Sequence, residues 1–169
     1  MQATPIYPVM NFRIIVALLF FVSPVLGKNA DKSFDKAAFY AILKSGKMAD
    51  VNGELDLLKS SSLSEKEAYE GTLLMRKAGL LKIPVEKLKL FKKGRIKLET
   101  ALSNDAANGE YHFLRLIIQE NAPNIAKYHA DLETDKQEIK KAYKNLSPSV
   151  QQAVIDYCKN SKILHAQDF

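Results

Sequence analysis

From residue 33 onward, apolar side chains return every three or four positions, and no stretch alternates long enough to make a strand. The pattern predicts an all-α chain. A first helix is expected over about Phe34 to Lys44, capped by Ser33, with Phe34, Ala37, Ala38, Ala41 and Ile42 facing inward and Ser45-Gly46 closing it. A second spans about Lys47 to Lys59 on the stripe Met48, Val51, Leu55 and Leu58. Ser64 and Glu67 have the spacing of a capping box and open a third helix, which runs to about Leu81. Pro84 starts a fourth, Val85 to Leu102, with Leu88, Phe91, Leu98 and Leu102 on its core side and Arg95 on the same stripe.

A fifth helix covers about Asn108 to Glu120. Pro123 is expected to open a sixth that breaks near Asp131 to Thr134, where Thr134 and Gln137 form another possible capping box, and resumes to about Leu146. Ser147-Pro148 begins a last helix to Lys159, with Val150, Ala153, Val154 and Tyr157 inward. These elements make three helical hairpins plus a C-terminal helix, a single domain over residues 33–160 followed by a loose tail, 161–169. Pro84 and Pro123 are 39 positions apart, as are Arg76 and Arg115. That faint repeat leaves two architectures open: a short superhelix resembling tetratricopeptide hairpins, although no full consensus is present, and a compact helical bundle.

The N-terminal pattern differs in kind. Ile14 to Val22 is unbroken apolar sequence, preceded by Arg13 and followed by Ser23-Pro24-Val25-Leu26-Gly27. A basic flank, a short greasy core and small residues at the exit are the grammar of a secretory signal peptide over residues 1–27. The run is shorter than the roughly 20 apolar residues a membrane-crossing helix needs. Met10 supplies an alternative start to Met1. Cleavage after Gly27 leaves 142 residues, with 28–32 as a short linker, and places the mature chain in an exported compartment. The mature part carries 24 Lys and Arg against 19 Asp and Glu, an excess that favours acidic partners but is too weak to imply nucleic acid. Cys158 is the single cysteine, so no disulfide forms within the chain; it serves as a small apolar residue or pairs between chains.

Candidate chemistry concentrates in two places. On the fifth helix, Asn108, His112, Arg115 and Gln119 form a narrow polar stripe, while Tyr111, Phe113, Leu114, Leu116, Ile117 and Ile118 cover the rest. Such a helix is expected to be largely buried, its stripe either a binding surface or an internal network. Glu110 falls on the apolar side. It either pairs with a cation of a neighbouring helix or interacts with the helix dipole from the first turn. On the fourth helix, seven cations lie between Lys82 and Lys97 against one acid, Glu86. Lys89, Lys92, Lys93 and Lys97 have helical spacing and form either a solvated outer face or a contact for anionic lipid or acidic polysaccharide.

The residues Asn108, Glu110, Tyr111, Phe113 to Leu116, Ile118 and Gln119, continuing through Pro123, Tyr128 and Asp135 to Ile139, resemble a segment of small exported all-helical proteins of Bacteroidota. The resemblance covers about a quarter of the mature chain. It implies export and a helical fold, and no activity.

No zinc-protease, nucleophile-elbow or phosphate-loop motif occurs, and His112, His129 and His165 match no standard zinc spacing. No catalytic, cofactor-binding or metal residue is nominated. Three functions are left, in order: a non-enzymatic interaction or scaffold module of the cell envelope, electrostatic attachment to an anionic envelope surface through residues 85–97, and an enzyme with an unrecognised acid-lined site.

Overall fold

The structure, a computed structural model, describes residues 34–169; the expected leader, the linker and Ser33 lie outside them. Seven α-helices make up the described part, with no strand among the described residues: α1 (Lys36–Ser45), α2 (Met48–Ser60), α3 (Lys66–Leu80), α4 (Pro84–Asn104), α5 (Gly109–Asn121), α6 (Leu132–Ala142) and α7 (Pro148–Cys158). The packing is that of a compact helical bundle. Among the described residues, no helix is long and apolar enough to cross a membrane.

Several ends differ from expectation for local reasons. Asp35 caps α1, its carboxylate accepting from the Ala37 N–H at 2.9 Å. Gly46 closes α1 in the left-handed region at φ 59°, as its glycine suggests. The Ser64–Glu67 capping box does not form: the Ser64 hydroxyl donates to Glu65 instead, and Glu67 is drawn to Lys97 on α4. Pro123 opens only a 3-10 turn, Asn124–Ala126, and α6 begins at Leu132 behind Asp131 rather than at Thr134.

Two hydrophobic cores share one wall. The first joins Phe39, Val51, Leu55, Tyr69, Leu73 and Leu98; the second joins Ile139, Val150, Val154 and Leu164. Helix α5 feeds both, with Tyr111, Leu114 and Ile118 on one side and Phe113 and Leu116 on the other. The expected inward face of α1 is rotated. Phe39 and Leu43 are buried, while Ala37, Ala38 and Ala41 are exposed, because one phenyl and one isobutyl group remove more apolar surface from water than three methyls.

Helices α3 and α4 form the tightest pair, and glycines make it possible. A Cβ on Gly71 would stand 2.7 Å from the Gly94 carbonyl oxygen. The residues matched by the 39-residue spacing play different roles: Pro84 lies in the first turn of α4 whereas Pro123 precedes a 3-10 turn, and Arg76 and Arg115 hold unlike partners.

The tail expected to be loose is packed. Leu164 is fully buried in the second core, and Glu120 of α5 accepts from the Ser161 hydroxyl at 2.7 Å and from the Lys162 N–H. Ile163, Leu164, Ala166 and Phe169 make too short a run to show a helical period, which is why the tail reads as unstructured from sequence.

Candidate functional site

The polar stripe of α5 is consumed inside the fold. Asn108 is the N-cap: its side-chain oxygen accepts from the N–H groups of Glu110 and Tyr111 at 3.1 and 3.2 Å. One turn on, His112 places Nδ1 2.7 Å from Asp135 Oδ1 and Nε2 2.9 Å from the Ala106 carbonyl. Arg115 donates from Nη2 and Nε to the same carboxylate, at 2.7 Å to Oδ1 and 3.0 Å to Oδ2, and from Nη1 to Glu99 of α4 at 3.0 Å. Gln119 closes the series. Its amide N donates to Asp131 Oδ2 at 2.8 Å, and its amide O accepts the Asp131 N–H at 3.2 Å.

These four residues therefore do one mechanical job in sequence. Asn108 starts α5, and the next three fasten α6 and α4 to it. Asp135 has no solvent exposure. A buried carboxylate without partners would be very costly, but here it meets a bidentate guanidinium and an imidazole. Burial works against the charge on His112, and the bonds to Asp135 and the Ala106 carbonyl outweigh it, so its pKa is raised.

Glu110, on the opposite side of α5, pairs with a neighbouring helix, the first of the two roles expected for it. It accepts from Lys36 Nζ at 2.6 Å, from Tyr69 at 2.7 Å and from Tyr40 at 3.1 Å. Burial, together with the nearby Glu110 charge, raises the pKa of both phenols. The three acids that complete the α5 network, Glu99, Asp131 and Asp135, carry no spacing that singles them out in the sequence. Only the packing of α4 and α6 against α5 selects them.

The four lysines separate into two sets. Lys89, Lys92 and Lys93 are exposed. Lys97 turns toward α3, with its ammonium 2.8 Å from Glu67 and 3.2 Å from Glu70, so it is not part of an outer face. Two other expectations for α4 are revised. Leu88 is 53 % exposed rather than on the core side, and Arg95 is exposed with its guanidinium 4.5 Å from the centroid of the Tyr128 ring.

A small concavity of about 240 Å³ borders the network at His112, Arg115 and Glu99, and a larger one lies elsewhere. A groove of about 770 Å³ opens between α1, α5 and α7, within the range of sites that hold organic ligands or side chains of a partner. Ala37, Ala41, Phe113, Ile117 and Ala153 supply much of its apolar wall, and Lys44 and Arg76 stand on it. Arg76 donates from Nε to the Leu43 carbonyl at 2.9 Å, and no carboxylate among the described residues lies within ion-pair distance of it. The sequence pointed away from this groove, because its alanines look like core positions. Rotation of α1 about Phe39 and Leu43 is what leaves them as a wall.

Among the described residues, no group of three His, Cys, Asp or Glu side chains is arranged to hold a metal ion. Cys158 is a free thiol, partly buried beside the second core, and burial raises its pKa. No protein-family model, curated protein or solved structure matches this chain. The fold and the site together describe an all-α domain with a buried ionic network and a separate apolar groove.

Proposed function

We propose that this is an exported, non-enzymatic interaction module whose groove between α1, α5 and α7 receives an amphipathic helix of another protein. The groove itself carries the reading. Helices wall it, small side chains widen it, and its lining is mostly apolar, which is the surface a greasy helix face needs. Lys44 and Arg76 outnumber the one acid of the lining, Asp156, and match a partner whose polar edge carries acids. The side chains of the buried network are spoken for. Both His112 nitrogens have partners inside the fold, and the Arg115 guanidinium lies against three carboxylates, Asp135 at 2.7 Å, Glu99 at 3.0 Å and Asp131 at 4.0 Å.

The test uses a synthetic helical peptide with leucines on one face and glutamates along its edge, added to protein whose groove is filled with an apolar fluorescent probe, anilinonaphthalene sulfonate. The peptide should displace the probe, and high salt should weaken it only modestly. Ala37→Trp and Ala41→Trp, which fill the groove from exposed positions of α1 outside the cores, should abolish both signals with thermal unfolding unchanged. Equal peptide binding by the filled variants and the parent would overturn the reading.

A further inference from the structure

Helix α4 turns two kinds of residue outward that rarely share a solvated face. Val85, Leu88 and Ile96 are 76, 53 and 67 % exposed, and Ile83 at the helix entrance is 53 % exposed. Lys89, Lys92 and Lys93 are exposed among them. At about 100° per residue, Val85, Lys89, Lys92 and Ile96 form one strip, flanked by Leu88 and Lys93. The opposite side is spoken for: Gly94, Leu98, Ala101 and Leu102 are buried, with Gly94 against Gly71 of α3. None of the three lysines forms an ion pair among the described residues, and Glu86 is the only acid between Lys82 and Lys97.

A merely solvated face has no use for four large aliphatic side chains, and a core-facing one has no place for unpaired ammonium groups. Both make sense at the boundary of an anionic bilayer. There the aliphatic groups enter the acyl region, while the lysines extend their stems along it and keep their heads at the phosphates. We propose that the outer face of α4 docks on anionic phospholipid, with Val85, Leu88 and Ile96 inserting between headgroups held by Lys89, Lys92 and Lys93. A polysaccharide would satisfy the lysines but leave the aliphatics in water. A second copy of the chain would set lysines against lysines. The surface is independent of the groove, which lies between other helices.

The chain contains no tryptophan, so one introduced residue reports its own surroundings. Val85→Trp in the full chain is titrated with vesicles of phosphatidylcholine alone and of phosphatidylcholine with phosphatidylglycerol. Emission should move to the blue only with the anionic vesicles, while a tryptophan placed on α6 by Lys141→Trp should not respond. Adding Lys89→Glu, Lys92→Glu and Lys93→Glu to Val85→Trp should raise the lipid needed for half the shift at least tenfold, with helical circular dichroism unchanged. Reading the signal at position 85 separates insertion of α4 from any binding through the N-terminal segment. Unshifted Val85→Trp emission with anionic vesicles, an undiminished shift in the triple-glutamate background, or the same shift with soluble dextran sulfate would each overturn the proposal.

Discussion

His112 lies between two acceptors, with Nδ1 2.7 Å from the buried carboxylate of Asp135 and Nε2 2.9 Å from the Ala106 carbonyl. Only an imidazolium donates on both sides. Its pKa is raised in the folded protein: burial opposes the charge, but the Asp135 and Ala106 bonds exceed that opposition. Unfolded histidine titrates near about 6.5, so the folded state holds this proton more tightly. The stabilisation is complete below the unfolded value and disappears as pH rises through the folded one. Urea midpoints should therefore fall as pH rises from about 6 through the folded-state value, and His112→Gln should lessen the fall. A parent midpoint that is flat or rising across that range would contradict the protonated assignment.

Asp135 is the joint between α6 and α5, since His112 and Arg115 converge on it. Asp135→Ala leaves a buried guanidinium and imidazole without their main counter-charge and should cost about 3 to 5 kcal/mol in chemical denaturation. Combining it with Arg115→Met should cost less than the two separate losses together, with a coupling of about 1 to 3 kcal/mol. Strict additivity would show that the two side chains do not act together.

Two glycine substitutions should have opposite signs. A Cβ on Gly94 would stand 2.5 Å from the Gly71 carbonyl oxygen and 2.9 Å from the Met75 backbone nitrogen, which cannot swing aside. Gly94→Ala should cost about 1 to 3 kcal/mol through overpacking at the α3–α4 crossing. At Gly53, inside α2, an added Cβ meets nothing within 4 Å. Gly53→Ala should stabilise by about 0.5 to 1 kcal/mol, because it removes freedom from the unfolded chain. Thermal melts of the two variants on opposite sides of the parent are the expected result.

The C-terminal nine residues should matter to stability. Leu164 is fully buried, the Phe169 ring sits 4.7 Å from that of Tyr143, and Asp168 pairs with Lys136 and Lys140 at 3.3 and 3.1 Å. Leu164→Ala should cost about 2 to 5 kcal/mol, the range for a buried leucine truncation. Ending the chain at Asn160 should destabilise it at least as much. An unchanged urea midpoint in either case would mean the tail is not part of the fold.

The seven helices were legible because their signals are local. A 3.6-residue recurrence of apolar groups, a proline in the first turn of α4 and α7, and Gly46 after α1 each act within a few residues of chain. The stripes Val51–Leu55–Leu58 and Val150–Val154 are buried as their spacing suggests. The capping box at Ser64 did not form: α3 begins one residue later, behind Glu65, and Glu67 reaches Lys97 thirty positions away. Local spacing cannot register so distant a contact.

The stripe Asn108, His112, Arg115 and Gln119 was visible as a stripe, since a helix that is apolar elsewhere must bury it or show it to water. Its meaning was not visible. Asp135 comes from α6, Asp131 from the residue just before it and Glu99 from α4, and only the docking of those helices gave the polar residues their partners. The same docking drew Lys97 inward while Lys89, Lys92 and Lys93 stayed out, and it turned Leu88 to the surface. Helix formation is a matter of nearest neighbours along the chain. Which side of each helix is covered depends on every other helix at once, and packing alone settled it.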